Sequence, residues 1–195
     1  MLAIFKREFK SYFQNVIGWL FVAALLAVYG LYFYVYNLKN GYPYISYDLN
    51  GIGFIMMIAV PILTMRSLSD EKKTKTDQLM LTSPVSVGRI VAGKYFAMAA
   101  VYTIDIALFA LSPLVLSIYG KVALSEAYVA LFGYWLYGLS CIAVGLFISS
   151  ISESVIISAI LTFAALFLSY MMQSITGLIS SSGNLLTKVL NCFDL

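Results

Sequence analysis

Five long apolar runs, separated by short polar breaks, set the pattern of this chain, and they predict membrane spans over residues 16–36, 49–65, 90–119, 127–149 and 155–172. The first holds 21 residues. At 1.5 Å per residue that is about 31 Å, the thickness of a bilayer's hydrocarbon core. The expected fold is therefore all-α: a polytopic membrane protein with five transmembrane helices in one domain. Residues 1–14 carry a different pattern. Leu2, Phe5, Phe9, Tyr12 and Phe13 fall on one arc of about 100° at helical spacing, with Lys6, Arg7, Lys10 and Gln14 opposite. This predicts an N-terminal amphipathic helix lying in the headgroup layer, apolar face down. The run after it is uncharged from Ser11 to Leu38, too long for a signal-peptide core, so it reads as an uncleaved first span.

Local signals refine the spans. Tyr29, Tyr32, Tyr34, Tyr36, Tyr42, Tyr44 and Tyr47 crowd the far end of the first. Tyrosine prefers the interface, where its ring is apolar and its hydroxyl is wet, so these residues read as an aromatic belt, with a turn at Gly41 and Pro43. Pro61 removes a backbone bond in the second span and is a candidate kink, for gating or for packing. Gly133, Gly138 and Gly145 permit close helix approach in the fourth. Asp105 lies deep in the third. A carboxylate at that depth costs a few kcal/mol unless paired, wetted or protonated. Two readings stay open for it: a polar or proton-carrying path, or a satisfied residue packed between helices. Residues 173–195 hold apolar segments too short to span and read as an extracytoplasmic end.

The longest polar break runs from Arg66 to Lys94 and holds nine charged residues, counting both ends. A polar segment between two spans must sit in water. Ser67-x-x-Asp70 and Thr74-x-x-Asp77 resemble capping boxes, predicting short helical turns from near Leu68 and near Lys75. Ser83-Pro84 reads as a cap followed by proline at the first helical position, so a new helix is expected near Pro84.

Composition narrows the function. Only 11% of residues are charged and 62% are hydrophobic, against about a quarter charged in soluble domains. The net charge of +3, with basic residues spread by topology, does not indicate nucleic acid. There is no histidine, and the two cysteines, Cys141 and Cys192, lie in unrelated contexts. No catalytic, metal or cofactor constellation is visible. Basic residues set the orientation: three near the N-terminus and six from Arg66 to Lys94 oppose Lys39, Lys121 and Lys188. The expectation is a multi-pass inner or plasma membrane protein with a cytoplasmic N-terminus and a cytoplasmic 66–89 segment. Gly88-Arg-Ile-Val-Ala-Gly-Lys-Tyr95 nearly matches a phosphate loop, but Tyr replaces the metal-binding hydroxyl and no strand precedes it. Two glycines and an interfacial lysine at the start of a helix explain the match.

The block from Met65 to Ser86, followed by Ile90-Val-Ala-Gly-Lys94, resembles the ABC-2 type transporter permeases, nearest to the branch of gliding-motility ABC permease subunits. Arg66, Glu71, Lys72, Lys73, Thr76, Leu79, Leu81, Ser83, Pro84, Gly93 and Lys94 match that pattern, whereas Lys75 stands where the family usually has glycine. The family usually has six spans, so five imply a truncated chain or a lost last span. The resemblance implies a permease half paired with a second permease copy or homologue, working with cytoplasmic ABC ATPase subunits that bind the ATP. It implies export, and an ATPase-coupling interface on Arg66, Asp70, Glu71, Lys72, Lys73, Thr76, Leu79, Leu81 and Pro84. Two alternatives remain: a secondary carrier or proton-coupled channel using Asp105, and a non-transporting membrane scaffold. The substrate is not legible.

Overall fold

The computed structural model describes residues 2–73, 86–119 and 123–179, with the side chains of 4–72, 86–118 and 123–172. The described residues are helical, without strands, in the order α1 (Leu2–Gln14), α2 (Val16–Phe33, continued by a π-helical turn over Tyr34–Lys39), α3 (Ser46–Thr64), α4 (Ser69–Lys73), α5 (Val87–Phe109), α6 (Ser112–Tyr119), α7 (Leu124–Ile151) and α8 (Val155–Ile179). Five helical stretches are long and apolar enough to cross a membrane: Val16–Lys39, Ser46–Lys72, Val87–Ile118, Leu124–Ile151 and Val155–Met172.

α3 is the centre of the bundle. It packs against α2, α7 and α8. Its Ile52, Met56, Val60 and Leu63 lose all solvent contact, and they belong to one core with Leu25 of α2, Met98 and Tyr102 of α5, and Ile142 of α7. The residues recur at three- and four-residue spacing because that spacing puts them on one face. Pro61 lies inside α3 without ending it. The third span is not one helix: α5 stops at a turn over Ala110 and Leu111, and α6 restarts at Ser112 with Pro113 in its first turn, where proline's missing N–H costs nothing. α8 continues to Ile179, past the expected end at residue 172.

Glycines close two seams. A Cβ on Gly138 would overlap the Tyr102 ring, and one on Gly145 would stand 2.5 Å from Thr64 Oγ1, so α7 lies tight against α5 and α3. Gly133, expected to do the same, has nothing within 4 Å.

At the end of the bundle away from α4, one tyrosine departs from the belt. Tyr34, Tyr42, Tyr44 and Tyr47 are exposed, but Tyr29 is buried. Its ring stacks on Phe109 at 4.1 Å and its hydroxyl bonds that of Ser112. Nearby, Asn37 in the π-helical turn donates to Asp48, and both are buried.

Candidate functional site

Arg66, Asp70, Glu71, Lys72 and Lys94 of the 66–94 segment gather at the end of the bundle that carries α1 and α4. α1 packs across α5 and against the start of α2. The chain reverses at Asn15, and Trp19 Nε1 donates to the Phe13 carbonyl at 2.9 Å, fixing the angle between α1 and α2. Lys6, Arg7, Lys10 and Gln14 are exposed, while Phe5, Phe9, Tyr12 and Phe13 are half-buried. That geometry places Glu8, on the flank of the apolar face, against α5.

The partner there is Lys94. Its side chain is only 3% exposed. Its ammonium donates to Glu71 Oε1 at 2.6 Å and to the Ser67 carbonyl at 2.8 Å, and stands 3.5 Å from Glu8 Oε1. Arg7 bonds Glu8 at 2.7 Å and reaches Glu71 at 3.9 Å. A buried cation is tolerable only when its donors are taken up by acceptors, and here two carboxylates and a carbonyl do so. The network joins three elements: α1 through Glu8, α4 through Glu71 and α5 through Lys94. Around it lies a polar cavity of about 390 Å³, lined also by Tyr12, Arg66 and Asp70. Burial, with the Glu8 carboxylate nearby, holds the Tyr12 phenol above its usual range.

α4 is held from a second side. Ser149, near the C-terminus of α7, turns its hydroxyl to the amides of Leu68 and Ser69, accepting both at 3.2 Å. The start of a helix leaves such amides without intrahelical partners, and here a distant helix caps them. In return the Lys72 ammonium donates to the Ser150 carbonyl, at the end of α7 where carbonyls lack partners and the helix dipole favours a cation. The Ser69 hydroxyl bonds back to the Met65 carbonyl. α4 thus begins at Ser69, with its first amides capped from α7.

Of the residues that the resemblance assigned to an ATPase interface, Glu71 and Lys72 make these internal contacts, and Arg66 and Asp70 line the cavity with exposed side chains. The side chain of Lys73, and Thr76, Leu79, Leu81 and Pro84, lie outside the described residues. Lys94 is buried and ion-paired, not an interfacial lysine, and α5 is continuous helix from Val87 through it. Glu8, Ser149 and Ser150 belong to the site without having been singled out for it. Glu8 carried a signal: it is the sole acid among the first 14 residues, beside an apolar arc. Asp105 is 0% exposed, and both its carboxylate oxygens lack a hydrogen-bond partner among the described residues. The hydroxyl of Tyr102, three residues earlier on α5, is itself used, donating to the Tyr134 carbonyl at 2.7 Å. Among the described residues, no group of three or more His, Cys, Asp or Glu is disposed to hold a metal ion.

Five helices long and apolar enough to cross a bilayer, with a polar segment tied to them at one end, define a multi-pass membrane protein. A family profile described as ABC-2 family transporter protein matches residues 7–193. The chain belongs to that family, whose members form the membrane part of ABC transporters and generally work with an ATPase subunit. No curated protein and no solved structure matches it.

Proposed function

We propose that this chain is the permease half of an ATP-driven exporter, and that residues 66–89 with α1 receive the movement of a cytoplasmic ATPase. A second permease, a copy or a homologue, completes the pathway, and ATP binds and is hydrolysed on the ATPase. In this arrangement the N-terminus and the 66–89 segment face the cytoplasm. The observation that carries the reading is the double attachment of α4. Glu71 ties it to α5 and α1 through Lys94, and Ser149 with Lys72 ties it to α7. A push on a segment held this way is delivered to two spans at once, because buried polar contacts switch between discrete arrangements instead of stretching. Lys94 and Ser149 act as positioning residues, and the remainder of the 66–89 segment supplies the docking surface.

The test separates the two roles. Lys94→Met is expected to retain a co-purifying ATPase while uncoupling ATP hydrolysis from transport. Leu79→Asp with Leu81→Asp is expected to release the ATPase. An ATPase that never co-purifies with the wild-type chain would sink the reading. Transport that persists undiminished in Lys94→Met would remove the linkage.

A carrier built on Asp105 has one observation in its favour, the unpartnered buried carboxylate. It predicts transport driven by a proton gradient without ATP and abolished by Asp105→Asn. The scaffold reading predicts partner binding without flux.

A further inference from the structure

Asn37 and Asp48 meet inside the bundle at the end away from α4. Asn37 comes from the π-helical turn that closes α2, and Asp48 from the first turn of α3. Both are buried, Asp48 completely. The Asn37 amide nitrogen donates to Asp48 Oδ2. The other oxygen of each side chain, Asn37 Oδ1 and Asp48 Oδ1, is buried and has no partner among the described residues. An acid in the first turn of a helix is favoured by the free amides and the dipole there. Asp48 does not use them: Oδ1 is bare, and the hydrogen bond at Oδ2 comes from Asn37.

As a carboxylate, this side chain would hold a full charge out of water on one neutral donor, which is costly. The bare amide oxygen beside it is a second deficit. One proton removes both. On Asp48 Oδ1 it cancels the charge and makes that atom a donor, and Asn37 Oδ1 is an acceptor with none. The two groups then exchange two hydrogen bonds, as a carboxylic acid and a primary amide can. A metal cation fits less well. The pair offers two bare oxygens, whereas a hard cation takes about six, and the Asn37 N–H lies beside them. The titratable groups on the elements packed around α3 are engaged or in water. Tyr29 bonds Ser112, Tyr32 lies where a Cβ on Gly51 would overlap its ring, and Lys39, Glu126, Tyr128 and Tyr170 are exposed. Among the described residues, no cation pairs with Asp48.

We propose that Asn37 and Asp48 form a proton-binding latch, in which the carboxylic acid of Asp48 and the amide of Asn37 share two hydrogen bonds and lock the π-helical turn of α2 onto the start of α3. The proton leaves Asp48 Oδ1 for water and returns from it, and no other group changes. Once it has left, a buried carboxylate faces the amide oxygen, the two repel, and the turn is released. Rising pH opens this end of the bundle and falling pH closes it. The latch does not depend on the coupling role of α4, so either can fail without the other.

Asp48→Asn is the decisive variant, because its amide supplies the donor and the acceptor of the protonated acid and has no proton to lose. The full chain is studied in detergent by infrared spectroscopy, which separates the carbonyl band of a protonated carboxylic acid from carboxylates. The wild type should lose one such band between mildly acidic and mildly alkaline pH. Asp48→Asn should lack that band, and Asp105→Asn, which removes the other buried acid, should keep it. Amide hydrogen exchange over residues 34–39, corrected for the intrinsic rate, should accelerate by up to about tenfold per pH unit in the wild type, the effect of one linked proton, and stay flat in Asp48→Asn. A titrating band that survives Asp48→Asn would overturn the proposal. So would loss of folding, or of protection over 34–39, in Asp48→Asn, since the proposal makes that variant a mimic of the closed latch. Slower exchange of the wild type in sodium or calcium chloride than in choline chloride of equal ionic strength, absent in Asp48→Asn, would also overturn it by showing that a metal cation holds the site.

Discussion

Lys94 and Glu71 meet at 2.6 Å across 23 residues of sequence, and the lysine is almost wholly buried where they do. Removing one partner from such a pair strands the other, which is the costly direction. Lys94→Met is expected to lower stability by about 3 kcal/mol, because Glu71 and Glu8 then face each other beside the vacated position. A double-mutant cycle with Glu71→Gln, read by unfolding in detergent, should give a coupling of roughly 1–3 kcal/mol. Additive single effects would mean that the two side chains do not sense each other.

Ser149 offers a more local test. Ser149→Ala leaves two amides without their acceptor, at an expected cost of about 1–2 kcal/mol. The specific signature is amide hydrogen exchange: Leu68 and Ser69 should lose protection while the middle of α7 keeps it. Unchanged protection at those two amides would show that the serine does not cap α4.

The glycine seams predict a contrast between neighbours on one helix. Gly138→Ala and Gly145→Ala each force a Cβ into Tyr102 or Thr64 and should destabilise by about 1–3 kcal/mol. Gly133→Ala meets open space and, by helix propensity, should be neutral or slightly stabilising. A thermal melt of the three variants decides it, and equal effects at all three would contradict the packing described.

Asp105 separates structure from transport. Asp105→Leu removes an unpartnered carboxyl group from the interior and should raise stability by about 1–3 kcal/mol. On the permease reading, ATP-dependent transport survives the change. A stable variant that no longer transports would instead place Asp105 on the pathway.

The spans were legible because length and apolarity alone decide whether a helix crosses a bilayer. The same cue located the polar segment, and the motif block pointed to the family that the profile match establishes. Pairings were not legible. Nothing local links Lys94 to Glu8, or Ser149 to an amide 80 residues earlier. Lys94 did carry a hint: seven residues into a membrane helix that starts at Val87, a lysine needs an acceptor. Tyr29 misled for the opposite reason. Composition placed it with the interfacial tyrosines, but helical phase turns it inward, onto Phe109 and Ser112.

The same helix shows what phase can do. Along α2 the inward positions are Gly18, Phe21, Val22, Leu25 and Tyr29, a sequence that two steps further on would bring Tyr36 to the interior. The π-helical turn over Tyr34–Lys39 absorbs one extra residue, and Asn37 arrives there instead, against Asp48. The helix changes step by one position within that turn. The register of the outer end is therefore carried by backbone geometry: a residue deleted from that turn ahead of Asn37 would let it close as ordinary α-helix with the asparagine still facing Asp48, whereas a deletion earlier in the span would shift every contact beyond it.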